Sequence, residues 1–147
     1  MYSNLVWLGP LQFTDAEQEF AKSIQHATNV PEKGLIAEVK PFDTNPGDAE
    51  GGSTDVGDIS WNFPTINLSV TTAPLDAPWH AWPVVVCGGM SIGHKGMLHA
   101  AKALAATMID LYKTPKTIED IGREFVADVK DSKFKSYIPA GPPPIPK

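Results

Sequence analysis

A chain of 147 residues with 42% hydrophobic and 20% charged residues is long enough to bury one ordinary hydrophobic core. Its net charge of -5 excludes a nucleic-acid backbone as the main partner, because no basic surface is available to release counterions. No apolar run approaches the roughly 20 residues of a membrane-spanning helix, so we expect no membrane partner. The single cysteine, Cys87, has no partner for an internal disulfide, and we expect a cytoplasmic protein.

The first helix is predicted over Asp15–Ala27, after a loop that covers residues 1–13. Thr14 and Glu17 form a capping-box pattern, in which each side chain satisfies a backbone N–H group left free at the helix start. Residues 35–40 alternate weakly between apolar and polar positions, and this pattern fits either a short strand or a loop.

An acidic, glycine-rich loop is predicted next, because residues 42–52 are dense in Asp, Asn, Pro and Gly. Such a loop is either a linker or a functional surface. Ser53, Thr54 and Asp55 then place short hydroxyl and carboxylate side chains on a flexible backbone, as a polar substrate loop requires. The same residues suit a plain Asx-turn, and the spacing by itself favours that turn.

The clearest strand signal is the stretch from Pro64 to Val70, where apolar and polar residues alternate with the period of a half-buried strand. His80 follows in an irregular segment, between Trp79 and Trp82. A lone histidine between aromatic residues is more often packed or hydrogen-bonded than bound to a ligand, and buried aromatics are more often core than pocket wall. These residues by themselves leave the role of His80 open.

The strongest helix signal covers residues 93–112, with Ser91 as a candidate N-cap. His94 and His99 point in different directions around this helix, so a two-histidine metal pair on it is not expected. Apolar residues recur at three- and four-residue spacing, which predicts an amphipathic helix. These residues are Met97, Ala101, Leu104, Ala105, Met108, Ile109 and Tyr112.

A last helix is predicted over residues 118–131 after a cap at Thr117, and residues 138–147 form a proline-rich extended tail. An apolar run at residues 84–87 ends at two glycines. Taken together, the elements predict an α/β fold, with a sheet flanked by helices and one candidate pocket. Reaction type does not follow from these residues alone.

Several sequence stretches carry a resemblance to a known family. They resemble the C-terminal part of the catalytic domain in amidohydrolases of metallopeptidase family twenty, and within it the subgroup typified by the B subunit of aminobenzoyl-glutamate hydrolase. The opening LGPLQFTDAEQEFAKSIQ resembles the segment that re-enters that domain after the family's inserted lid domain. The other matching stretches are GGSTDVGDISW (51–61), TINLSV (65–70), PWHAW (78–82) and GGMSIGHKGMLHAAKALA (88–105).

The resemblance implies that residues 1–147 form a single partial catalytic domain, part of a zinc-exopeptidase-like sheet with flanking helices and no lid domain. It also implies hydrolysis of an amide between an acyl or aroyl group and an amino acid, at two divalent metal ions, zinc or manganese. His80 matches the position of a metal ligand. The loop of Ser53, Thr54 and Asp55 matches a segment beside the substrate, with His94 as a further candidate contact.

The family's other catalytic motifs do not occur in this chain. None of the four histidines has Asp two residues on, and no two glutamates are adjacent. One histidine cannot hold a two-metal site, so we expect the chain to be inactive alone. Three hypotheses follow. The chain is a portion of an amidohydrolase, either a fragment of a longer enzyme or a piece that pairs with a separately encoded N-terminal half; or it is a non-catalytic remnant that serves as a binding or assembly module; or it is a free-standing domain with an unrelated ligand. Where the missing half docks, we expect an exposed sheet edge or apolar patch that self-association would otherwise cover.

Overall fold

The computed structural model describes residues 1–43, 54–132, 134–136 and 141–142. These residues fall into two compact units, one comprising Met1–Pro46 and Asn67–Lys113 and the other Gly47–Ile66 and Thr114–Lys147. Of the helices in the described ranges, the first unit contains four and the second contains two. In chain order they are α1 (Tyr2–Leu8), α2 (Asp15–Ala27), α3 (Val56–Ser60), α4 (Trp82–Gly88), α5 (Ser91–Lys113) and α6 (Pro115–Val129).

The predicted α/β fold is wrong for the described part of the chain, which contains helices and no strand or sheet. Residues 64–70 are irregular, and residues 35–40 form a loop. Burial still alternates at the end of the predicted strand, since Leu68 and Val70 are half-buried while Ser69 is exposed. Within the described residues, however, this stretch pairs with no neighbouring backbone. A strand exists only where its N–H and C=O groups meet those of another strand, and apolar periodicity does not supply that partner.

Helix α2 has the predicted bounds, and its start is capped as predicted. The Glu17 N–H donates to Thr14 Oγ1 at 3.2 Å, and the Thr14 N–H donates to Glu17 Oε2 at 2.7 Å. Each contact satisfies a donor that the first helical turn leaves free. The inner face of α2 then enters the core of the first unit, which is formed by Ala21, Ile24, Leu35, Cys87 and Ile92.

Two glutamine side chains of α2 hydrogen-bond to backbone groups of Gly34, Leu35 and Leu75. These groups would otherwise need a neighbouring strand. Gln25 is fully buried; its Oε1 accepts from the Gly34 N–H at 2.7 Å and its Nε2 donates to the Leu75 carbonyl at 2.8 Å. Gln18 accepts from the Leu35 N–H at 2.8 Å and donates to the Leu35 carbonyl at 3.2 Å. These side-chain amides allow buried backbone to remain hydrogen-bonded without a sheet.

Three helices, α1, α3 and α4, were not indicated by the sequence patterns. Helix α1 lies within the segment predicted as a loop, and it is held to α5 by Asn4, whose Nδ2 donates to Thr107 Oγ1 at 3.2 Å and to Asp110 Oδ2 at 2.8 Å. Helix α4 contains the apolar run at residues 84–87, and its Pro83 occupies the first turn, where proline is tolerated. Helices α1 and α4 both pack against α5.

Helix α5 is packed through its small residues. A Cβ atom on Gly96 would lie 2.5 Å from the Thr71 carbonyl oxygen, and one on Gly93 would lie 2.6 Å from the Cys87 carbonyl oxygen. The helix therefore approaches neighbouring backbone more closely than a side chain would permit. The buried residues of α5 are Ile92, Gly93, Gly96, Ala103 and Thr107.

The apolar face predicted for α5 is not the face that the described residues bury. Met97, Met108 and Tyr112 are 59%, 55% and 79% exposed, and Leu104 and Ile109 are about as open at 45% and 53%. The spacing identified an amphipathic helix correctly, since α5 forms one element from Ser91 to Lys113. It did not indicate what covers the apolar face.

In the second unit, α6 begins at Pro115 rather than 118, with Thr114 rather than Thr117 as its N-cap, and it buries no residue. The proline-rich tail predicted at 138–147 lies outside the described residues except for 141–142. The prediction of a single partial catalytic domain stays a prediction. Within the described ranges, no helix has the length and apolarity that a bilayer crossing demands.

The close approach at Gly96 predicts a measurable cost. Gly96→Ala is expected to lower the free energy of unfolding by about 1–3 kcal/mol, because the added Cβ meets fixed backbone. Gly122→Ala in α6 is the matched control, since a Cβ there would meet nothing within 4 Å. It is expected to stabilise by about 0.5–1 kcal/mol through helix propensity. Urea unfolding followed by circular dichroism measures both, and equal midpoints would contradict the packing described.

Candidate functional site

His80 lies on the turn that leads into α4, and its side chain is exposed. Its φ of 57° is in the left-handed region, which residues other than glycine adopt uncommonly. Such conformations are frequent at functional sites, but Asn29 and Asp76 share this one in the same unit. The backbone therefore leaves the His80 side chain accessible. Its conformation alone is not evidence of a binding site.

The aromatic residues beside His80 are exposed rather than part of the core. Trp79 and Trp82 are 71% and 51% exposed. Trp79 also lines an open cavity of about 530 Å³, together with Ile36 and residues 70–77. A smaller cavity of about 370 Å³ is lined by Leu5, Leu11, residues 36–40, residues 69–71 and His99. His80 lines neither of these two cavities.

The described residues do not build a metal centre. Among them, no group of three or more His, Cys, Asp or Glu side chains is placed to hold an ion. The carboxylate of Asp76, four residues before His80, instead accepts from Lys33 Nζ at 3.0 Å. Because a protein metal site needs three or four ligands, these residues do not fit a complete centre. The metal-ligand role expected for His80 stays a prediction.

The predicted substrate loop falls partly outside the described residues, since Ser53 does. Thr54 and Asp55 belong to the second unit and immediately precede α3. Thr54 Oγ1 accepts from the Val56 N–H at 3.2 Å, and the Thr54 carbonyl accepts from the Gly57 N–H at 3.2 Å. These contacts form a turn closed by the Thr54 hydroxyl, whereas the spacing favoured an Asx-turn. Both side chains remain exposed.

His94 and Lys95 are consecutive residues near the start of α5 but differ in their surroundings. His94 is exposed, and its backbone N–H donates to the Met90 carbonyl at 3.0 Å. Lys95 donates to Glu17 Oε2 at 2.6 Å, while Ser91 Oγ donates to Glu17 Oε1 at 2.5 Å. Lys95 therefore joins the start of α5 to the start of α2.

The cluster around Glu17 is the principal charged contact that sequence reasoning missed. The Lys95 ammonium, followed by the Ser91 hydroxyl, lowers the pKa of Glu17 to about 2. The Glu17 side chain is only 11% exposed, which protects the pair from solvent. The capping box indicated half of this cluster, but nothing in the spacing indicated that Lys95 would contact the cap. All its contacts are structural, and none points to a bound ligand.

Comparison with known proteins relates this chain to a hydrolase. It is similar to the B subunit of the p-aminobenzoyl-glutamate hydrolase of Escherichia coli (strain K12), at 29% identity over 171 residues. The alignment takes in 99% of this chain and 35% of the relative, so the chain spans about a third of the relative's length. The similarity fits the C-terminal part of the amidohydrolase, as the sequence resemblance predicted. No protein-family profile matches the chain, and no solved structure matches it.

The Glu17 cluster predicts a pH-dependent contribution to stability. Glu17→Gln is expected to lower the free energy of unfolding by about 1–2 kcal/mol at neutral pH, because a charge-assisted contact with Lys95 is lost. The pKa of Glu17 is lower in the folded protein than its ordinary value of 4.5. The contribution is therefore fully present above that value, and it is lost as the pH falls through about 2.

Urea unfolding of the wild type and of Glu17→Gln at several pH values measures this difference in the free energy of unfolding. Glu19→Gln is the matched control, because Glu19 forms an exposed pair with Lys22 at 2.8 Å that solvent screens, so its loss is expected to change the free energy of unfolding little. A difference between the wild type and Glu17→Gln that stays constant down to the acid limit would show that the charge of Glu17 is not the cause.

Proposed function

We propose that this chain is a portion of a metal-dependent amidohydrolase that hydrolyses the amide between an aroyl or acyl group and an amino acid. The observation that carries the proposal is the similarity, over 99% of the chain, to one subunit of a hydrolase. That relative is named for p-aminobenzoyl-glutamate, and we take the same class of amide as the substrate. The proposal includes a cytoplasmic location, which the single cysteine supports.

In this proposal His80 supplies one ligand to a centre of two divalent ions, zinc or manganese. The other ligands and the general base come from the complementary part, which we define as the part of the E. coli relative outside the aligned region. The exposed side chain of His80 and its position on a turn support this role, because a ligand from another segment can reach it. Without such a segment, the described residues provide too few ligands for catalysis.

The substrate contacts are proposed at residues that the structure leaves open. Thr54, Asp55 and His94 are exposed, so a ligand can reach their side chains. Ser53 completes the loop beside the substrate in this proposal. Lys95 is not included, because its ammonium is already paired with Glu17.

A non-catalytic binding or assembly module is the second candidate. It is favoured by the fact that the described part of the chain has no cluster of metal ligands, although it has a capped and hydrogen-bonded core. A module of this kind would bind zinc weakly both alone and in a complex.

Reconstitution with the complementary part tests the amidohydrolase proposal. The two polypeptides are co-expressed, and hydrolysis of p-aminobenzoyl-glutamate is assayed with manganese. We expect activity from the complex and none from either polypeptide alone. His80→Ala is expected to lower this activity by more than about 100-fold, because loss of even an outer-shell group costs a metal site about that much. Calorimetric titration of the complex with zinc should show the matching loss of affinity.

His26→Ala is the matched histidine control. His26 is exposed and contacts Glu32 Oε1 at 2.9 Å, so its removal should leave both activity and zinc affinity unchanged. Full activity in the His80→Ala complex would rule out the ligand role. A stable complex that neither hydrolyses the amide nor binds zinc would favour the assembly module.

A further inference from the structure

We propose that the apolar face of α5 is the surface on which the complementary part of the hydrolase docks. This inference rests on the proposed function and adds the location of the contact. The apolar face of α5 comprises the large residues Met97, Leu104, Met108, Ile109 and Tyr112 and the small residues Ala101 and Ala105.

The face is long, continuous and open. It extends from Met97 to Tyr112, a distance of about 22 Å at the rise of an α-helix. All five of its large side chains are between 45% and 79% exposed. The charged residues of this part of the helix, Lys102 and Asp110, lie off the face. Singly scattered apolar residues are normal on a protein surface, but a continuous apolar strip of this length is typical of an interaction site.

The opposite side of α5 is already used. Four of its small residues are buried within the first unit: Gly93, Gly96, Ala103 and Thr107. At the two glycines the helix lies so close to neighbouring backbone that a Cβ atom would not fit. The helix is therefore apolar on two sides, of which the described residues cover one. A helix that is apolar around most of its circumference belongs in an interior. We therefore expect the uncovered side to pack against an apolar surface of another polypeptide.

The width of the face favours the complementary part over a second copy of this chain. At 100° per residue, the positions from Leu104 to Ile109 spread over more than about 120° of the helix. A seam between two helices uses a narrower strip, whereas a broad strip with small alanines between large residues suits a wide apolar surface. Two copies would each carry a net charge of -5, which opposes association. About two thirds of the relative's length lies outside the aligned region and is available to provide that surface.

Thiol labelling tests the proposal directly. Leu104→Cys places a thiol on the face, and Lys102→Cys places a matched thiol on an exposed position beside it. Cys87 is fully buried, so it contributes little background. We expect both introduced thiols to react readily with a maleimide in the chain alone. Adding the complementary part of the E. coli relative should slow labelling at position 104 by about 10-fold or more and leave position 102 within about 2-fold.

Several results would overturn the proposal. Protection of position 104 that grows with the concentration of this chain alone would assign the face to a second copy. Protection that is independent of concentration would show that the chain covers the face itself. Equal labelling with and without the complementary part would exclude docking at this face. Recovery of the complementary part only as insoluble protein, with or without this chain, would also count against it, because binding should stabilise the folded partner.

Labelling and activity measured on the same complex test the docking surface and the proposed function independently. Protection of position 104 without hydrolysis of p-aminobenzoyl-glutamate upholds the docking surface and overturns the activity. Hydrolysis with position 104 equally reactive upholds the activity and overturns the docking surface. Leu104→Glu provides a second variant, which should weaken co-purification by at least about 10-fold, whereas Lys102→Glu should not.

Discussion

The close packing of α5 through Gly93 and Gly96 is the constraint on which the rest of the first unit depends. With no Cβ at these positions, the helix lies directly against the Cys87 and Thr71 carbonyls. That approach fixes α4 on one side of α5 and brings Lys95 to the capped start of α2. It also determines which side of α5 is buried, so the larger apolar residues are left on the outside.

The described residues have a core that is small for their apolar content. Eight apolar residues are buried in them, while 21 large hydrophobic residues are exposed. Two other features point the same way, since a strand-like stretch has no pairing partner and His80 has no companion ligands within the described ranges. All three features leave groups without a partner among the described residues, and the chain spans about a third of the length of the hydrolase subunit that it matches.

The Glu17 cluster shows how a residue in a family-like motif can have a purely structural role. Lys95 lies in the stretch whose resemblance to amidohydrolases is clear, yet its ammonium is held by the cap of α2. His94, the residue before it, is exposed. Neighbouring positions in a motif can therefore differ in their surroundings, because successive residues of a helix point about 100° apart.

The sequence by itself determined the features that depend on neighbouring residues. The capping box of Thr14 and Glu17 and the existence of α5 follow from local hydrogen bonds and helical periodicity, and the similarity to a hydrolase was carried by short stretches. Only the tertiary structure decided the absence of a sheet from the described residues, the helices α1 and α4, the exposed state of the apolar face and the pairing of Lys95 with Glu17. Each of these depends on which distant groups meet, and a periodic pattern records that a face is apolar without recording what covers it.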